Sequence, residues 1–309
     1  MPKQILFIVC LIMNSISFSQ TISLQEKLGY PKNSKLLIVH ADDLGVAHSE
    51  NAATISAMEN SIVNSASIMV PCPWFSEIAA YAVANPKADF GLHLTLTSEW
   101  KNFKWGPLSD QQEVPGLVNK NGFLFSSGDS VYQKATPLEI EKELRRQIDK
   151  ALSFGIDVTH FDSHMAVLYC NAEYLKVLIR LGREYKVPVM LNKSGVRSAI
   201  SMSIDSFLNE KDVLIDGIFS PGPEDYKKGM EQFYTGHIKS FTPGVNIFII
   251  HLAYDDKEMQ AITIDHPNWG ADWRQADYDF FTSEKVKQLL KENNVQLITW
   301  REIRDKLLR

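Results

Sequence analysis

Cysteine is nearly absent: 309 residues hold three, Cys10, Cys72 and Cys170. That is too few for a disulfide-stapled scaffold or a cysteine-rich zinc module. After the first twenty residues no apolar stretch approaches the ~18–20 residues of a membrane-spanning helix, so no membrane span is expected. Basic clusters are missing as well. With 32 Lys+Arg against 37 Asp+Glu, the net charge is -5 and the pI about 5.9. That balance argues against nucleic acid and acidic polymers as partners. No low-complexity tract, internal repeat or inter-domain linker is present. What remains is 45% apolar and 22% charged, an ordinary globular composition with ample material for a core.

The chain opens with MPKQILFIVCLIMNSISFSQ. Lys3 supplies a positive start, Ile5 to Met13 an apolar run, and Ser17-Phe18-Ser19 the small residues of a cleavage site. Residues 1–19 therefore read as a secretory signal peptide, and residues 20–309 as a single exported domain, periplasmic or secreted. Cys10 lacks the preceding small residue of a lipoprotein signal. Cys72 and Cys170 remain; an oxidising compartment permits their pairing, but two buried free thiols are the simpler expectation.

Short β-branched runs recur with helical patterns between them. Candidate strands are residues 36–41, 65–70, 90–97, 158–164, 187–192, 212–217, 245–253 and 295–300. The clearest helix starts at a Thr136/Glu139 capping box with Pro137 in its first turn. Ile140, Leu144, Ile148 and Leu152 mark its apolar face, and Gly155 stops it. Further helices are expected over 49–60, 172–185 and 283–293. This alternation predicts an α/β fold with parallel pairing, an irregular (β/α) barrel of seven or eight strands, with an open doubly wound sheet as the alternative. Residues 98–135 and 254–282 break the repeat. The first contains a hairpin-like GLVNKNGFLF, and the second is rich in aromatic and acidic residues. Each follows a strand, so each is expected to roof the C-terminal face of the barrel.

Polar residues gather at strand ends: Asp42 and Asp43 after LLIVHA, His93 in GLHLTLT, Asp162 and His164 in FDSH, and His251 in FIIHLA. In a barrel these ends share one rim, where catalytic groups sit. One carboxylate and two imidazoles can hold a divalent ion and leave positions open for water and substrate. A second carboxylate can then act as base. Neighbours on a straight strand face opposite sides, so both Asp42 and Asp43 reach one site only if the chain turns, for which Gly45 is the candidate. A bland account also exists: strand histidines are often hydrogen-bonded core residues, and Asp-Asp-Leu-Gly can be a turn with a helix cap.

The segments IVHADDLGVAHSENAATISAMENSIVNSASIMV, GLHLTLT and THFDSH together resemble the YdjC-like (ChbG/HpnK) carbohydrate deacetylase family, from about Lys35 to the C-terminus. The resemblance implies an irregular (β/α) barrel, a divalent ion (usually Mg2+, alternatively Zn2+), and removal of acetyl groups from N-acetylated amino sugars or oligosaccharides. Matched residue by residue, it implies Asp43, His93 and His164 as metal ligands, Asp42 as general base and His251 as general acid. The chain departs from the family at MAVLYC after Asp-Ser-His, where many members carry further histidines, and at His251-Leu252-Ala253 in place of His-Pro-Gly.

Trp100, Trp105 and Arg274 are candidate substrate contacts, with Trp269 and Trp273 as further rings for stacking on sugar faces. Each also suits plain packing, and Arg274 equally suits a salt bridge or the orientation of a carboxylate. Two rival functions stand beside the deacetylase: a glycoside hydrolase using two separated carboxylates, and a sugar-binding protein without catalysis.

Overall fold

The computed structural model describes residues 22–194 and 206–309; the expected signal peptide lies outside them. Among the described residues every named strand pairs in parallel, and all but one come from the runs that the sequence marks, mostly shortened; the exception, Gly217–Phe219, lies almost wholly beyond the run expected over 212–217. They are β1 (Lys35–Leu44), β2 (Ser65–Ile68), β3 (Phe90–Leu94), β4 (Phe161–Ser163), β5 (Leu191–Asn192), β6 (Leu214–Ile215), β7 (Gly217–Phe219), β8 (Gly244–Ile250) and β9 (Val295–Leu297). The main sheet runs β4-β3-β2-β1-β8-β7, with β9 beside the start of β1, and β5 pairs with β6 separately. The small sheet lies in the remaining gap. Val189 bridges to Phe161 in β4, and β6 continues into β7 after Asp216. The expected barrel is therefore present in irregular form.

Alternation along β1 explains where the site lies. Leu37, Val39 and Ala41 join the large core beneath the outer helices. Leu36 and Ile38 point the other way, into a smaller cluster with Val245, Ile247, Met190, Ile215 and Trp300. That cluster plugs one end of the barrel. The same inward face continues along β1 as His40 and Asp42, so an apolar floor gives way to a polar rim.

The helix Pro137–Ser153 begins with both bonds of the Thr136/Glu139 capping box. It also anchors the strand that carries His93: the Gln147 amide exchanges two hydrogen bonds with the Thr95 backbone, at 3.0 and 2.7 Å. Buried Glu143 accepts from the N–H groups of Leu108 and Ser109 and fastens the first long loop. Residues 254–282 differ from the expected loop. Much of the segment is helical, Lys257–Ile262 and Ala271–Thr282, and its aromatic residues pack inward. Cys72 is buried as expected, but Cys170 is exposed; both are free thiols. Among the described residues no helix is long and apolar enough to cross a membrane.

Candidate metal centre and active site

Between Ala41 and Leu44, β1 holds one residue more than β2, which pairs Ala41 with Ala66 and Leu44 with Ile68. This bulge is where the two aspartates sit. Asp43 adopts a left-handed backbone, φ 70°, a conformation that asparagine and aspartate tolerate better than most residues. The reversal cancels strand alternation and lets both carboxylates enter one cavity. The turn expected at Gly45 thus begins at Asp43. Gly45 completes it at φ 93°, where a Cβ would lie 3.1 Å from the Met69 carbonyl oxygen.

His93 comes from β3, in register with Asp162 on β4. That pairing places His93 Nδ1 2.6 Å from Asp162 Oδ1. His93 Nε2 faces Asp43 Oδ1 at 3.3 Å, and His164 Nδ1 faces the same oxygen at 3.2 Å. His164 Nε2 is held in turn by Glu99 Oε2 at 3.0 Å. Each imidazole therefore turns one nitrogen to Asp43 and gives the other to a carboxylate, the arrangement that fixes ring orientation and tautomer in metal-ligating histidines. Asp43 Oδ1 is buried and has no hydrogen-bond partner of its own. Both ring nitrogens stand within ion-pair distance but are misaligned for a hydrogen bond. One orphaned oxygen flanked by two imidazole nitrogens is a donor set that a divalent cation fits.

The electrostatics agree. Burial pushes the Asp43 carboxyl up, but Arg274, His164 and His93 outweigh it and hold the group well below the usual carboxylate range. Burial pulls the His164 ring down, but Glu99 and Asp43 lift it to about 9. Asp42, Asp43, Asp162 and Glu99 surround two imidazoles, and that negative surplus suits a dication, whose binding would release the ring protons.

Arg274 does not reach out for substrate. It is buried, with Nη2 on Asp43 Oδ2 at 2.8 Å, Nη1 on the buried Glu50, and Nε on the Trp269 carbonyl at 2.8 Å. Its role here is to orient and charge-balance Asp43. The buried Glu50 carboxylate, whose pKa burial raises well above normal, depends on it. Trp100 lies under this guanidinium, 5.5 Å from ring centroid to Cζ, and lines the cavity together with Trp269. Trp105 corrects the sequence expectation. It is buried behind Trp100, gives its indole N–H to the Thr97 carbonyl at 2.9 Å, and supports the wall instead of meeting substrate. Trp273 is likewise packed, between Tyr226 and Trp269.

His251 stands at the end of β8 with Nε2 4.0 Å from Asp43 Oδ2, and its side chain keeps 14% exposure toward the cavity. Burial lowers its pKa to about 4, so it is neutral at rest near pH 7. Asp277 accepts its backbone N–H at 3.0 Å. The cavity encloses about 690 Å³. Beyond the charged end its wall is largely apolar, with Met165, Met190, Leu191, Ile218 and Ile249. Met165 and Ala166 fill positions directly after His164, both with positive φ.

Residues 36–292 match the sequence profile of a family described as YdjC-like protein. The chain belongs to that family. Two relatives align over nearly their whole length. One, from Thermoanaerobacter pseudethanolicus, is 27% identical over 86% of this chain and 98% of its own; the other, from Thermus thermophilus, is 29% identical over 93% and 100%. Both are named carbohydrate deacetylase. A solved structure from Enterococcus faecalis V583, provisionally described as a cellobiose-phosphate cleavage protein, shares the fold. Its TM-score is 0.73 at 24% identity, covering 87% of this chain and 99% of that one.

Four site residues carry no role in the sequence reading: His40, Glu99, Glu50 and His160. Two of them left a trace, because His40/Asp42 and His160/Asp162/His164 recur every second residue and so share a face. Gly91 belongs with them, since a Cβ there would come within 2.4 Å of the His160 ring.

Proposed function

We propose that this YdjC-like protein is an exported, metal-dependent carbohydrate deacetylase that releases acetate from N-acetylated amino sugars or oligosaccharides. The observation that carries the reading is the convergence of Asp43 Oδ1, His93 Nε2 and His164 Nδ1 beside a second carboxylate, Asp42. The names of its relatives support the carbohydrate substrate. A divalent ion held by Asp43, His93 and His164 would polarise the amide carbonyl and lower the pKa of water. We assign Mg2+ first, as the family resemblance suggests, with Zn2+ the alternative that two imidazoles also suit.

The remaining steps belong to the chain's own side chains. Arg274 keeps Asp43 ionised and oriented. Asp42 takes a proton from the attacking water at Oδ2, while its Oδ1 stays paired with His40. As negative charge grows on the carbonyl oxygen, His251, neutral at rest, takes up the proton that Asp42 removed from the water. It then hands its proton to the leaving nitrogen, giving acetate and a free amine. Trp100 and Trp269 screen this end from water and offer flat apolar faces to a sugar ring.

The test is acetate release from acetylated mono- and oligosaccharides by residues 20–309, before and after chelation. Activity should fall to background on chelation and return with Mg2+ or Zn2+. Acetate release that persists without bound metal would overturn the metal dependence, and new reducing ends in place of acetate would replace this reading with a glycoside hydrolase.

A further inference from the structure

The geometry points to His40 as a positioning residue that ties the base Asp42 to the ligand His93 through one buried imidazole. His40 lies on the inward face of β1, two residues before Asp42, and is fully buried. Its Nδ1 is 2.9 Å from Ser65 Oγ. Its Nε2 is hydrogen-bonded to Asp162 Oδ2 at 2.9 Å, lies 3.2 Å from Ser67 Oγ, and stands 2.9 Å from Asp42 Oδ1 as an ion-pair contact. The other oxygen of Asp162 receives His93 Nδ1 at 2.6 Å. A continuous path therefore runs Asp42–His40–Asp162–His93 across three strands, and no exposed residue interrupts it.

Two carboxylates converging on one nitrogen require the N–H to be there, because a bare Nε2 would leave three acceptors facing each other in a dry core. The ring edge against Asp42 Oδ1, together with the Ser67 hydroxyl that donates to the same oxygen at 3.4 Å, holds that carboxylate in one orientation. Oδ2 is left as the free proton acceptor, on the side of His93 Nε2, 3.8 Å away. The same N–H holds Asp162, and through it the orientation of His93. Burial opposes a charge on His40, but the Asp162 and Asp42 carboxylates outweigh it and raise its pKa to about 9, in keeping with this donor role. His40 thus acts at two places at once, on the base and on a ligand's holder, without touching substrate.

The kinetic arm of the test rests on the deacetylase reading; the metal arm does not. Three variants separate positioning from filling. In His40→Gln an amide nitrogen stands near the position of Nε2 and keeps the carboxylate contact. In His40→Asn the amide reaches only toward Ser65, and His40→Leu keeps bulk without a donor. At saturating metal, His40→Leu and His40→Asn should lose about 100-fold in kcat, the scale expected when a reacting group is displaced. KM should stay within about threefold, since only positioning is lost. Affinity for Zn2+ measured without substrate should weaken about tenfold, as for other lost holders of a metal-binding histidine. His40→Gln should recover at least about tenfold of the kcat.

Equal kcat for the Gln and Asn variants, or a Leu variant within about threefold of wild type, would make His40 mere core and overturn the proposal. The Gln/Asn comparison survives even if His40→Leu fails to fold. If the unaltered protein releases no acetate, the deacetylase reading fails while Zn2+ affinity still decides His40. Unchanged affinity in all three variants would then overturn it.

Discussion

Asp42→Asn should lower kcat for acetate release by about 10²–10⁴-fold, the range a general base contributes, while the protein keeps its full complement of metal. The substitution changes almost nothing but the proton affinity of one oxygen. Asparagine has the same shape, and its carbonyl oxygen can still stand beside His40 and accept from the Ser67 hydroxyl where Asp42 Oδ1 does, at 2.9 and 3.4 Å. What disappears is the acceptor on the other side, so water is no longer deprotonated as it attacks. Asp42 stands outside the Asp43–His93–His164 set, which is why metal content should not follow activity. Normal turnover by Asp42→Asn would move the base to another carboxylate of the site, with Asp162 or Glu99 next in line.

The second large effect concerns the ligands. His93→Ala combined with His164→Ala should leave no measurable bound metal and no acetate release above background. These rings supply two of three donors, and Asp43 alone, neutralised by Arg274 at 2.8 Å, cannot hold a dication against water. Asp162 and Glu99 would each lose the imidazole they face, so circular dichroism must first show that the variant is folded. A folded double variant with normal metal and normal activity would place the ion elsewhere. Single variants should be intermediate in affinity, because each leaves one oriented imidazole.

The parts of this site that were legible in the sequence depend on local pattern. His93, His164 and His251 stand at ends of apolar runs, and a barrel brings such ends together however far apart they lie in the chain. Asp162, two residues before His164, was a natural partner for a histidine, and it holds His93. The pairing of Asp42 and Asp43 was visible, but its mechanism was not. Sequence pointed to Gly45, because glycine is the residue expected at positive φ, whereas the bulge begins on Asp43 itself. An aspartate that tolerates a left-handed backbone looks like any other aspartate until its neighbours are known.

Long-range partners left no trace. Glu50 and Arg274 are 224 residues apart and meet only because the helices His48–Asn60 and Ala271–Thr282 pack together at the rim. The latter helix escaped notice because its aromatic residues suggested a loop wall and its buried face includes Arg274 and Asp277, which blur an apolar stripe. Trp105 was misplaced for the opposite reason. An aromatic ring in a loop reads equally as anchor or platform, and only the bond from its indole to Thr97 decides for anchor.

Among the described residues, three overlapping sets of side chains can take an ion: Asp43–His93–His164, Asp42–His93–Asp162 and His40–His160–Asp162. Anomalous diffraction from crystals equilibrated with Zn2+ distinguishes them in one measurement. This account predicts a single peak about 2.0–2.2 Å from Asp43 Oδ1, His93 Nε2 and His164 Nδ1, with Asp42 free beside it and His40 still bonded to Asp162 and paired with Asp42. A peak within either of the other two sets, or none at millimolar Zn2+, would contradict it.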